Sequence, residues 1–197
     1  MDQGDTWQAI SPDLTSGGKE GNVPFGTLTC ISESPFQFGL LYTGSDDGIA
    51  QVSKDGGSRW QIISGSLKKD LWVSSLVASQ HKKERVYLAL SGYRWDDFTT
   101  YLYESNDYGK TWKSISANIP NSPVNVIIED PENENLLFVG TDNGLYASFD
   151  QGTSWEAFQD GMPSIAIHDL VIQPEAKHLL VGTHGRSIYK ADISALQ

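Results

Sequence analysis

The sequence has little of what several functional classes require. A single cysteine, Cys30, stands among 197 residues, so no internal disulfide can form. Its place in an alternating apolar stretch marks it as a buried bystander. No apolar run reaches the roughly 18 residues that span a bilayer, and Met1-Asp2-Gln3-Gly4 lacks the basic and apolar regions of a signal peptide. The compartment is left unassigned, and would be extracellular or periplasmic if the parent protein carries a signal peptide. Basic residues are scarce: 14 Lys and Arg face 25 Asp and Glu, for a net charge of −11. Such a surface repels phosphate backbones and anionic lipids, which argues against nucleic acid and membrane partners. His81, His168, His178 and His184 show no tight ligand spacing, and no glycine cluster opens a helix that would cradle phosphate. Neither a metal nor a cofactor is expected.

Runs of Ala, Leu, Glu and Lys are rare, while Gly, Ser, Thr, Tyr and Trp are plentiful, a bias toward strands and tight turns. Within it an octet repeats. Ser105-Asn106-Asp107-Tyr108-Gly109-Lys110-Thr111-Trp112 returns as Ser148-Phe149-Asp150-Gln151-Gly152-Thr153-Ser154-Trp155. A third copy keeps Ser53, Asp55, Gly57 and Trp60 but has Arg59 at the Ser/Thr position, and a partial fourth keeps Asp2, Gly4, Thr6 and Trp7. The tryptophans recur about every 43 to 53 residues, the length of one supersecondary unit in a propeller or array.

A second signature runs in phase: Leu40-Leu41-Tyr42-Thr43-Gly44, Leu136-Leu137-Phe138-Val139-Gly140 and Leu179-Leu180-Val181-Gly182, with a looser copy from Val86 to Gly92. Asp47-Gly48 and Asn143-Gly144 supply the positive φ angles of two-residue hairpin turns. Short β-type runs precede each copy, and Pro35, Pro131 and Pro174 end three of them. Each repeat reads as four antiparallel strands, a to d, with the octet at the c–d turn. The predicted fold is all-β, a β-propeller of about four four-stranded blades at 26–64, 72–117, 123–160 and 165–193, in one domain over 1–197. The last blade lacks strand d, whereas residues 5–10 form a spare one. Two expectations follow: residues 5–10 close a minimal ring beside Ser187–Lys190, or the chain is an incomplete segment of a larger propeller able to self-associate.

These motifs resemble the Asp-box, or BNR-repeat, superfamily, whose propellers include sialidases, sortilin-type receptors, xyloglucanase-type glycosidases and photosystem II assembly factors. The ending Gly182-Thr183-His184-Gly185-Arg186-Ser187-Ile188-Tyr189 is similar to that of C-terminal blades in bacterial glycosyl-hydrolase-like members. The resemblance implies a scaffold and leaves the activity open. The box itself reads as structural: its carboxylate can accept successive backbone N–H groups, its Gly permits a left-handed turn, and its Trp packs between sheets. That assigns Ser53, Asp55, Gly57, Trp60, Ser105, Asp107, Gly109, Thr111, Trp112, Ser148, Asp150, Gly152, Ser154 and Trp155 to architecture.

Function is expected on the opposite face, where b–c loops gather Tyr93, Arg94, Trp95, Asp96 and Asp97 with His184 and Arg186. An aromatic platform beside acids suits a glycan or peptide, and neighbouring blades or domains are the other expected partners. Asp47, Asp96, Asp97 and Asp142 are the carboxylates from which a glycoside hydrolase would draw its pair. The predicted function is a non-catalytic binding or scaffold module, with part of a glycosyl hydrolase completed elsewhere as the alternative. Sialidase chemistry is disfavoured, because an Arg-Ile-Pro element is absent and Arg59 and Arg85 lie at turns.

Overall fold

The computed structural model describes residues 4–17 and 26–197. Asp2 of the partial octet lies outside them. The described chain is all-β apart from a three-residue 3-10 turn at Tyr93–Trp95. Four separate antiparallel sheets follow one another along the sequence. The first is β1 (Leu28–Glu33), β2 (Leu41–Ser45), β3 (Ala50–Ser53) and β4 (Gln61–Ile62). The second is β5 (Trp72–Ala78), β6 (Val86–Gly92), β7 (Asp97–Ser105) and β8 (Lys113–Ser114). The third is β9 (Val124–Glu129), β10 (Leu137–Thr141), β11 (Gly144–Ser148) and β12 (Glu156–Ala157). The fourth has three strands, β13 (Ile167–Gln173), β14 (His178–Thr183) and β15 (Ile188–Asp192).

The apolar cores lie between sheets, because each sheet uses both faces. All seven residues of β6 are buried: Val86, Leu88 and Leu90 join Leu40, Tyr42 and Val52 of the first sheet, while Tyr87 and Ala89 join Val124, Ile127, Leu137 and Val139 of the third. A third cluster ties Leu136, Phe138 and Leu145 to Ile167, Leu170, Leu179 and Val181. This face-to-face stacking of consecutive four-stranded sheets is blade packing, and it explains why the central strands read as near-continuous apolar runs rather than alternating ones.

The octet turns are built alike. Ser Oγ accepts the Gly N–H at 2.8 Å in all three full copies. The same hydroxyl donates to the Asp carboxylate at 2.8 to 3.0 Å, using both roles a serine offers. That carboxylate accepts the N–H of Arg59, Thr111 or Ser154 at 2.8 to 2.9 Å. Thr111 and Ser154 add a hydroxyl bond at 2.7 Å; Arg59 supplies an exposed ion pair at 3.6 Å instead. The box Gly is left-handed, with φ of 94°, 83° and 79° at Gly57, Gly109 and Gly152. A Cβ there would strike Ile10, Ile63 and Ile115 respectively, each three residues past the Trp of the preceding repeat.

The tryptophans complete the step from blade to blade. Trp112 Nε1 donates to the Ile63 carbonyl at 2.8 Å, and Trp155 Nε1 to that of Ile115 at 2.7 Å. Trp60 Nε1 donates to Ile10 at 3.3 Å. Residues 5–10 therefore do not form the expected strand beside Ser187–Lys190. They are non-strand and lie against the first blade, at the position a preceding blade's outer strand would hold. From there the chain crosses the first sheet: Leu14 is buried, its carbonyl accepts Gln51 Nε2 at 2.9 Å, and Ser16 bonds Asp47. β15 remains an edge strand among the described residues.

Candidate functional site

The first strand of every blade carries a β-bulge near its start, leaving Thr29, Ser74, Asn125 and His168 as the extra residues. A bulge re-aims its side chain. The first two fasten neighbouring blades: Thr29 Oγ1 donates to Val73 O at 2.7 Å and Ser74 Oγ to Val124 O at 2.6 Å. The last two instead meet a hollow of about 570 Å³ on the face opposite the octet turns. Trp72, Ser91, Tyr93 and Arg94 line it from the second blade, Asn125 and Asp142 from the third, and Ala166, His168 and His184 from the fourth.

Its chemistry is mixed. The Arg94 guanidinium sits 5.0 Å from the Trp72 ring centre and pairs with Asp46 at 3.2 Å. Trp72 Nε1 is buried without a hydrogen-bond partner. Asp142 accepts Asn125 Nδ2 at 2.8 Å, and the His168 and His184 rings lie 5.1 Å apart, tilted by 45°.

The loop residues expected to act together are divided. Tyr93 and Arg94 line this hollow, whereas Trp95 and Asp97 line a shallower one with Lys68, Asp70 and Leu71. Trp95 is 65% exposed but tethered, its Nε1 donating to Asp70 O at 2.9 Å. Tyr93 stacks edge-on with Phe98. Asp96 is exposed and left-handed, with φ 55°. Arg186 is exposed in the β14–β15 turn, outside both linings. Trp72, Asn125 and His168 escaped notice in the sequence because they lie in strands; their common place one or two residues into each blade's first strand is the signal that finds them.

Three of the four candidate carboxylates, Asp47, Asp97 and Asp142, are engaged. Asp47 is 3% exposed and bonds Ser45, with Ser16 N and Oγ at 2.7 and 2.6 Å. Asp97 meets Lys68 Nζ at 2.6 Å and Tyr101 Oη at 2.9 Å. The Lys68 bond, helped by Thr99, holds its carboxyl well below the usual range. Burial pushes the half-buried Cys30 thiol up to about 11. Among the described residues no group of three His, Cys, Asp or Glu is placed to hold a metal ion, and no helix is long and apolar enough to cross a membrane.

Stacked sheets, three octet turns and a recurring indole step define the class: an all-β, propeller-like array of antiparallel sheets. The family described as "Sortilin, neurotensin receptor 3" matches residues 100–194. Comparison with curated proteins gives no match. Among solved structures, the GH74 enzyme of Niastella koreensis is similar at TM-score 0.69 and 15% identity, covering 86% of this chain and 29% of its own. The extracellular domain of the one-component system BT4673 from B. thetaiotaomicron gives 0.61 and 19%, over 84% and 21%. YCF48 bound to D1 peptide gives 0.57 and 14%, over 85% and 55%. The chain thus spans under a third of the GH74 and BT4673 structures, and shares their propeller fold.

Proposed function

We propose that the chain is a non-catalytic binding module whose ligand, a short glycan or peptide segment, lies in the hollow shared by the second, third and fourth blades. The observation that carries this reading is the cleft in which Trp72 and Arg94 meet Asp142 and the His168–His184 pair. An aromatic face with a few convergent polar groups is how small ligands are oriented. The engagement of Asp47 and Asp97 supports binding over hydrolysis: a general acid needs a raised pKa, whereas the Asp97 carboxyl is held low by Lys68. The YCF48 likeness is to a protein solved with a peptide, and the GH74 likeness is to enzymes; both extend to fold alone.

The test is calorimetric titration of oligosaccharide and peptide panels. Arg94→Ala and His168→Ala, at exposed positions of the lining, should each weaken binding about tenfold or more, the scale of a lost polar contact, with the melting temperature retained. Binding that survives both variants would sink the proposal. Release of product from a glycan, abolished by Asp97→Asn, would establish the hydrolase alternative.

A further inference from the structure

The blade-to-blade step makes a specific demand on the fourth sheet. At each earlier step a Trp indole donates to the carbonyl three residues beyond the preceding Trp: Trp60 to Ile10, Trp112 to Ile63, Trp155 to Ile115. The next member of the series is a Trp donating to Phe158 O. At that position the third and fourth blades enclose a hollow of about 350 Å³, lined by Leu145, Phe158, Met162, Val181, Tyr189 and Ala191. Beside it runs β15 with one edge unpaired among the described residues.

The chain holds a segment of matching form. Trp7-Gln8-Ala9-Ile10 aligns with Trp60 to Ile63 and Trp112 to Ile115, and its Ile10 already serves the first blade as those residues serve theirs. Trp7 is 91% exposed, whereas Trp155 is 3% exposed. Ile188 on the β15 edge is 76% exposed. Within one chain the segment makes no pair with β15, which leaves that edge to the same segment of another molecule.

We propose that residues 5–10 of a second copy form the outermost strand of the fourth blade, with the second copy's Trp7 in the hollow and its indole on Phe158 O. The register follows from the other blades. Gln51 pairs with Ile62, Tyr103 with Ser114 and Tyr146 with Ala157, and the N–H groups of Ile63, Ile115 and Phe158 donate to Ala50, Leu102 and Leu145. Transferred to β15, whose Ile188 stands opposite Gly182 as Ala50 and Leu145 stand opposite Gly44 and Gly140, these rules pair Ala9 with Tyr189 and Gln8 with Lys190, and send the Ile10 N–H to Ile188 O. The contact is head-to-tail, so it propagates until it closes. Two copies supply eight sheets, within the roughly four to eight blades over which propellers close. This assembly is independent of the ligand reading above.

Light scattering on the 197-residue chain should give twice the single-chain mass of 21.7 kDa. Trp7→Ala should return it to single chains with the circular dichroism retained, because an exposed side chain supports no fold in the lone molecule. As a geometric check, Gln8→Cys and Lys190→Cys prepared separately and mixed should cross-link as a pair; Cys30, with its raised pKa, would take no part. A wild-type mass of 21.7 kDa at tens of micromolar, a mass unaltered by Trp7→Ala, or a cross-link only within single chains of the double variant would overturn the proposal.

Discussion

At the scale of residues, each octet serine stands at the centre of its turn. Ser105 is 1% exposed, and its hydroxyl both accepts the Gly109 N–H and donates to Asp107. Ser105→Ala leaves a buried N–H unpaired and should cost about 1–3 kcal/mol, read from the denaturant midpoint. The Asp107 carboxylate is affected first by burial, which opposes ionisation, but its bonds from Thr111 and Ser105 prevail and hold its pKa at about 2. A carboxyl depressed on folding contributes stability above its unfolded value near 3.9 that is lost as pH falls through the folded one. Thermal melts should therefore show wild type losing stability between about pH 4 and pH 2, and Asp107→Asn should flatten that limb. The structural nature of the box acids was legible in the sequence because the octet carries its own hydrogen-bond partners. The cleft residues Asn125 and His168 were not, since their aim is decided by a bulge, and a bulge depends on which residues pair across two strands; Trp72 reads as an ordinary strand residue.

At the scale of elements, two polar devices add to the shared apolar core and the Trp155 bond that join the second and third blades. One is the Ser74 hydroxyl on Val124 O; Ser74→Ala should lower stability by about 1 kcal/mol without touching the cleft. The other lies at the octet end, where Arg85, 3% exposed at its side chain, meets Glu104 at 3.2 Å and Glu129 at 3.4 Å. Glu129 also accepts Ser79, Gln80 and Tyr87 across the blade interface. Removing the cation strands two buried carboxylates, so Arg85→Met should destabilise by about 3–5 kcal/mol in chemical unfolding, while Lys68→Met, at an exposed pair, should shift it by less than about 1 kcal/mol. Strand order within each blade was legible from the phased Leu-Leu and Trp motifs. The Arg85 cluster was not: from sequence that arginine is merely a turn residue, and its acids arrive from positions distant along the chain.

At the scale of the whole molecule, four stacked sheets make a rigid array whose two faces differ in kind. One carries the octet turns, whose acids are engaged with their own backbone; the other carries loops that gather Trp72, Arg94, Asp142, His168 and His184. Blade number was legible from the repeat, but the place of residues 5–10 was not, because the same Trp-Gln-Ala-Ile stretch satisfies an outer-strand position beside either end of the array. The structure docks Ile10 and Leu14 on the first blade and leaves β15 unpaired among the described residues. The central claim is that ligands are read on the face away from the octets, and the six tryptophans report on it directly. In a heteronuclear NMR titration with ligands from the glycan and peptide panels, the Trp72 indole N–H should shift markedly while those of Trp60, Trp112 and Trp155 hold still. Movement of the octet indoles with Trp72 unchanged would contradict the account.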